Sequence, residues 1–89
     1  MRTTYDRAKD EANRAKHGLP LALAEMLDWS EVWCCADTRK DYGEVREIGY
    51  GVIGNRLYCV VFTQRGDTMR VISLRKANAR EARQYGEYD

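Results

Sequence analysis

Acid–base chemistry in this chain centres on its one histidine, His17, which directly follows Lys16. An imidazole titrates close to neutral pH, so His17 can accept or give a proton during a reaction. The Lys16 ammonium can lower the pKa of that imidazole or bind a phosphate. An alternative is structural, because a protonated histidine at a helix end meets unsatisfied backbone carbonyls. Both interpretations fit the sequence.

A second group of candidates consists of arginines in or beside predicted strands, namely Arg46, Arg65, Arg70 and Arg75. A guanidinium binds phosphate through paired hydrogen bonds and stays charged. The alternative for these arginines is ion pairing with Glu44 or Glu47 across the sheet. Together with a histidine, such cations suit acid–base chemistry on a phosphate group, in which fixed donors stabilise the negative charge that develops.

Further polar residues are candidates for contacts with a polyanion. Lys9, Asn13 and Lys16 recur with helical spacing and share one stripe of a predicted helix, although such a stripe is also typical of a solvated face. Arg75 and Lys76 begin a basic segment that leads into the last predicted helix. That segment suits phosphates or an acidic segment of a protein partner.

The charge of the chain is small overall but unevenly distributed. The 89 residues carry a formal net charge of +1 at pH 7. Residues 1–17 contribute +2, residues 18–47 contribute −4 and residues 48–89 contribute +3. Basic ends around an acidic middle can place a positive patch on one surface, which suits a polyanion. A mixed, solvated surface is the alternative.

Length and composition predict a single domain over residues 1–89 in the cytoplasm. Hydrophobic residues make up 44% of the chain, a fraction typical of a folded protein. No apolar run approaches the roughly 20 residues of a membrane span, and the first residues lack the apolar segment of a secretory signal. Cys34, Cys35 and Cys59 form no disulfide framework and no metal-ligand pattern, so we expect free thiols, no metal and no cofactor.

The pattern of apolar and turn-forming residues predicts an α+β fold. Helices come first: one between the N-cap Asp6 and Gly18, and one over residues 20–27. Ala8, Ala12 and Ala15 form the apolar stripe of the first helix, and their small side chains should let it pack closely against a neighbour. Strands at 45–53, 57–63 and 68–74 follow, joined by tight turns into a small antiparallel meander. Asn78 then begins a C-terminal helix, with Glu81 as its capping-box partner. Trp29 and Trp33 suit either a core or a partner surface.

Three blocks of this sequence resemble the BrnT family of ribonuclease toxins. The first is Asp6, Lys9, Asn13 and Lys16-His17-Gly18, and the second is Tyr42-Gly43-Glu44 with Arg46 and Gly49. The third runs from Val60 to Gly66 and from Arg70 to Asn78, and ends with Arg80-Glu81 and Tyr85. Residues 28–38 depart from the family pattern beyond a general apolar character.

The resemblance implies a RelE-like fold, RNA cleavage by the free toxin, and neutralisation by a cognate antitoxin. That partner would be a DNA-binding protein of the ribbon-helix-helix, BrnA-like type, and the two chains would form a hetero-oligomer. From the residues and the resemblance together we expect a metal-independent endoribonuclease that inhibits translation. The catalytic candidates are His17, Lys16, Arg46 and Arg70; the substrate-binding candidates are Lys9, Asn13, Arg65, Arg75 and Lys76. A non-catalytic module that binds RNA or a partner is the alternative.

Overall fold

The computed structural model describes residues 2–39, 41 and 43–86. Within them lie five strands: β1 (Arg2–Tyr5), β2 (Trp33–Ala36), β3 (Glu47–Ile53), β4 (Arg56–Arg65) and β5 (Thr68–Lys76). The helices are α1 (Arg7–His17) and α2 (Ala79–Gln84), with two 3₁₀ segments, Leu21–Met26 and Trp29–Glu31, which we call the 3₁₀ pair. Tyr42 of the second family block lies outside the described residues.

The five strands form one mixed sheet in the order β1-β5-β4-β3-β2. The predicted meander is confirmed, because β3, β4 and β5 pair antiparallel through turns at Gly54-Asn55 and Gly66-Asp67. The predicted layout with helices first is wrong. β1 precedes α1 and pairs parallel with β5, so the sheet is not purely antiparallel. This strand is only four residues long and largely polar, and its pairing partner lies more than 60 residues away in the sequence.

Helix α1 has the predicted ends and an unpredicted contact face. The Asp6 side chain accepts a hydrogen bond from the Ala8 amide, and Gly18 ends the helix in the left-handed conformation. The alanine stripe, however, is exposed, so the prediction that these small side chains pack against a neighbour is wrong. The buried residue of α1 is Asn13, which is 4% exposed.

One face of the sheet carries the hydrophobic core. Val60, Phe62 and Leu74 from β4 and β5 pack there against Leu21 and Leu27. The latter two belong to or adjoin the 3₁₀ pair, whose first segment is the short second helix predicted over residues 20–27. Turns of 3₁₀ type suit this segment because it is short and lies flat on the sheet.

Two glycines of β3 allow the 3₁₀ pair to approach the sheet. A Cβ at Gly49 would lie 2.7 Å from Val32, and one at Gly51 would lie 2.8 Å from Leu27. Side chains at either position would push the covering segment outwards.

The opposite face of the sheet is only partly covered, and we call it the groove face. Because side chains alternate along a strand, Tyr50, Cys59 and Arg75 project on this side, away from the core. A bulge opposite the Val61–Phe62 step of β4 places Ile72 and Ser73 of β5 beside the same open region. No helix in the described part of the chain is long and apolar enough to cross a membrane.

Candidate functional site

A groove of about 480 Å³ lies on the groove face of the sheet. Two rows of residues in register across β3, β4 and β5 form its floor, Tyr50–Cys59–Arg75 and Ile48–Val61–Ser73. Its walls carry positive charge from Lys9 and Lys16 of α1 and from Arg39, which lies between β2 and β3. His17 of α1 also lines the groove. Among the described residues that line the groove there is no carboxylate. This arrangement suits a polyanionic ligand.

The amide of Asn13 fastens α1 to the sheet beside the groove. Its Nδ2 donates to the carbonyls of Leu74 (2.9 Å) and Leu19 (2.8 Å), and its Oδ1 accepts from the Leu74 amide (3.0 Å). Strand β1 pairs with β5 only as far as Val71, so Asn13 satisfies backbone groups that no strand reaches. Both amide donors are thereby used, and the helix presents Lys9, Lys16 and His17 to the groove.

A carboxylate on α2 organises the other end of the groove. Glu81 receives two hydrogen bonds from the Arg75 guanidinium, at 2.8 and 2.9 Å, and one from the Tyr50 hydroxyl at 2.7 Å. It also completes the predicted capping box with Asn78. One side chain therefore fixes a strand-borne cation, a strand-borne phenol and the start of a helix relative to each other.

These contacts shift the pKa values of all three groups. The hydrogen bonds from Arg75 hold the pKa of Glu81 at about 2, well below its usual range. The same ion pair raises the pKa of Arg75, and burial raises the pKa of Tyr50. At neutral pH Glu81 is ionised and committed to its partners, which makes it a poor general base.

The environment of His17 favours the neutral imidazole. Burial lowers the pKa of His17 first, and the positive charges of Lys16 and Arg75 lower it further. An imidazolium serving as a helix cap would have a raised pKa, because the carbonyl end of the helix stabilises positive charge. The backbone amide of Gly18 instead donates to the Arg14 carbonyl, at 2.9 Å.

Arg39 reaches the groove from the segment between β2 and β3. Asp37, whose side chain is completely buried, binds the Arg39 guanidinium at 2.8 and 2.9 Å. The Asp37 amide also donates to the Arg46 carbonyl at 2.7 Å, which ties this segment to the start of β3. A buried carboxylate paired with an arginine holds the loop in place.

Three aromatic rings stack beside the groove. Tyr85, which follows α2, lies between Tyr50 and Trp33, with ring centroids 4.7 and 5.0 Å apart and planes within about 20° of parallel. Tyr50 lines the groove, and Trp33 on the edge strand β2 is 48% exposed. We call this set the aromatic stack.

The predicted site residues fall into two groups. Lys9, Lys16, His17 and Arg75 meet in the groove, and Asn13 lies there with its amide used in fold contacts. The others do not line it: Arg46, Arg65, Arg70 and Lys76.

The residues outside the groove lining have distinct surroundings. Arg70 lies on the groove face opposite Thr63, roughly 15 Å along β5 from Arg75. Arg46 precedes β3 by one residue, so its predicted place within a strand is wrong. Arg65 makes the alternative ion pair with Glu44, at 3.1 Å. Lys76 is exposed at the end of β5.

Three contributors to the site were not predicted from the sequence. Tyr50 and Arg39 line the groove, and Glu81 supports it in addition to its predicted capping role. Alternation along β3 places Tyr50 on the face opposite Gly49 and Gly51, a signal that the sequence does contain. Nothing in the sequence marks the pairing of Arg75 with Glu81 as different from an ordinary surface contact.

Within residues 2–39, 41 and 43–86, no cluster of three histidine, cysteine, aspartate or glutamate side chains is arranged to hold a metal ion. Comparison with known proteins gives one family: the model described as the ribonuclease toxin BrnT of type II toxin–antitoxin systems matches residues 5–81. A search of curated proteins finds no matching relative.

Proposed function

Since this chain belongs to the BrnT family of ribonuclease toxins of type II toxin–antitoxin systems, we propose that its groove is the ribonuclease active site. The observation that carries this proposal is the meeting of an imidazole of lowered pKa with Lys9, Lys16 and Arg75 in one groove. The cations bind the phosphodiester, and His17 removes a proton. The chain acts as an endoribonuclease in the cytoplasm and thereby inhibits translation.

The reaction proposed is attack of a ribose 2′-hydroxyl on the adjacent phosphate. Neutral His17 takes the proton from the 2′-oxygen as the new P–O bond forms. The bond from phosphorus to the 5′-oxygen breaks, and that oxygen takes a proton from the Lys16 ammonium or from water. The products are a 2′,3′-cyclic phosphate and a 5′-hydroxyl, and no redox change occurs.

Arg75 is the residue best placed to stabilise the phosphorane. Its guanidinium lines the groove, it is close enough to His17 to lower the pKa of the imidazole, and Glu81 fixes its direction. Donors that are fixed before reaction stabilise developing charge without the cost of reorganisation. We assign Arg75 this role in place of Arg46 and Arg70. Arg70, which lies farther along β5 on the groove face, extends the path for the RNA backbone.

We propose that cleavage needs no metal ion, since the groove offers an imidazole and cations as its reactive groups. The test is cleavage of a defined single-stranded RNA by partner-free protein in excess chelator. Wild-type protein should cleave, and His17→Ala should lose roughly 10²–10⁴-fold in rate. Arg7→Ala is the matched control, because it removes a cation of α1 whose side chain is 93% exposed.

Three results would contradict parts of this proposal. Cleavage that stops in chelator would mean that a metal ion takes part. RNA binding without cleavage would favour the non-catalytic alternative. A folded His17→Ala variant with wild-type rate would remove the imidazole from the mechanism.

We further propose that the antitoxin is a ribbon-helix-helix protein whose acidic segment fills the groove. The family implies a protein antitoxin, and the walls of the groove are basic. RNA and antitoxin should then compete for one site. If both bind together with unchanged affinity, the groove is not the neutralised surface.

A further inference from the structure

We propose that the aromatic stack is a nucleobase-binding subsite, in which a base of single-stranded RNA stacks on the exposed face of Trp33. This inference rests on the proposed function, because it adds a base contact next to the phosphate-binding groove.

The geometry of the stack leaves one aromatic surface open. Tyr85 covers one face of the Trp33 indole at a centroid distance of 5.0 Å, and the side chain remains 48% exposed. Tyr85 itself is held on its other side by Tyr50, whose hydroxyl is bound to Glu81. The indole is therefore supported from behind. A platform of this kind loses little freedom when a base stacks on it.

The position of Trp33 fits a ligand that also occupies the groove. Trp33, Tyr50, Cys59 and Arg75 lie in one register row across β2, β3, β4 and β5. The two residues are three strand spacings apart, so the Cα atoms of Trp33 and Arg75 lie about 14 Å from each other. A short stretch of single strand spans that distance, with its phosphate at Arg75 and a neighbouring base at Trp33.

Single-stranded RNA is the occupant that these observations favour. A base inside a duplex already has both faces covered by its neighbours, whereas an unpaired base can lie flat on an indole, and stacking on aromatic side chains is the usual means of holding such bases. The cations of the groove complement the backbone of the same strand. The sandwich of near-parallel rings continues from the groove to Trp33, so both contacts belong to one surface.

The experiment measures binding of a short 2′-O-methyl oligonucleotide, which lacks the attacking hydroxyl and is not cut. In a Trp29→Phe background, Trp33 is the only tryptophan, and its fluorescence should be quenched by the oligonucleotide. Trp33→Ala should weaken binding roughly 5- to 150-fold, and Trp33→Phe should retain most of the affinity. Met26→Ala is the control, since Met26 is 67% exposed on a 3₁₀ segment of the opposite face.

An abasic scan of the oligonucleotide tests the contact without relying on one protein variant. At one position of the oligonucleotide, removal of the base should weaken binding to the parent protein by the same factor as Trp33→Ala does. At that position, removal of the base should leave binding to the Trp33→Ala variant unchanged. A duplex of the same sequence should bind more weakly than the single strand.

The proposal is overturned if the folded Trp33→Ala variant binds the oligonucleotide as tightly as the parent protein does. The exposed Trp33 side chain would then serve contact with a protein partner and not with RNA. It is also overturned if no abasic position depends on Trp33. Both results can occur while the wild-type protein still cleaves RNA, so failure of the subsite is separate from failure of the proposed nuclease. Trp33-dependent binding without cleavage by wild-type protein would contradict only the nuclease.

Discussion

On one face of the sheet, Val60, Phe62 and Leu74 pack against apolar residues of the 3₁₀ pair, and two glycines permit the close approach. On the groove face, polar side chains orient α1 and α2: Asn13 binds the backbone of β5, and Glu81 binds Arg75 and Tyr50. Hydrophobic burial is insensitive to direction, whereas these hydrogen bonds fix the orientation of each group. The first face supplies most of the stability, and the second places the charged groups.

The largest effect is expected on the core face. Phe62→Ala removes a buried ring that contacts Trp29 edge-on at 5.0 Å, and should cost about 3–5 kcal/mol. A domain of this size has a total stability of about 5–15 kcal/mol, so much of it would be lost. Urea unfolding followed by circular dichroism measures the change. Val45→Ala, at a side chain that is 72% exposed, should have almost no effect, and equal losses for both variants would contradict the contrast between the faces.

Asn13→Ala tests whether hydrogen bonds on the groove face also contribute to stability. The substitution leaves the amide and carbonyl of Leu74 without their partner, and should cost about 2–3 kcal/mol. RNA cleavage should fall as well, because α1 carries Lys9, Lys16 and His17. The control is Glu11→Ala, an exposed change on the same helix, which should stay within about 0.5 kcal/mol. If the Asn13 variant matches this control, the amide contacts are dispensable.

Glu81→Gln should reduce stability by about 1–2 kcal/mol and alter its dependence on pH. Folding lowers the pKa of Glu81 from its ordinary 4.5 to about 2. The stabilisation is therefore fully present above pH 4.5 and is lost as the pH falls towards 2. The difference in unfolding free energy between wild type and variant should shrink across that interval. A constant difference would show that the charge of Glu81 has no part in the effect.

The smallest effect is expected at Arg65, which forms an ion pair with Glu44 in which both side chains are exposed. Such pairs contribute about 0–1 kcal/mol, so Arg65→Ala should shift the melting temperature only slightly. Its effect on RNA affinity should be far smaller than that of Arg75→Ala. If the two arginine variants lose equal affinity, the binding surface extends well beyond the groove.

The sequence correctly predicted the caps and turns that depend only on neighbouring residues. The N-cap at Asp6, the turn at Gly54-Asn55 and the capping box of Asn78 and Glu81 are all confirmed. Strand β1 was not predicted, because its pairing with β5 depends on residues far along the chain. The alanine stripe suggested an apolar contact face, but burial of one hydrogen-bonded amide determined how α1 docks.

The sequence predicted only part of the candidate site, because the rest depends on contacts between residues far apart in the chain. The types of Lys9, Lys16, His17 and Arg75 indicated phosphate chemistry, and these residues do meet in the groove. Arg70 and Arg46 were ranked above Arg75 because they were expected inside strands. Which cation enters the groove depends on the register of β5 with β4 and on the partner Glu81, neither of which is visible in one sequence.

A pH series shows whether neutral His17 accepts a proton in this cationic groove. Because the chain has one histidine, nuclear magnetic resonance titration gives the pKa of its imidazole without ambiguity. We expect a pKa below 6.5, and a cleavage rate that rises with pH through the same pKa to a plateau. A pKa of 6.5 or higher would contradict this role of His17. So would a fall of the cleavage rate at low pH that remains in the His17→Ala variant.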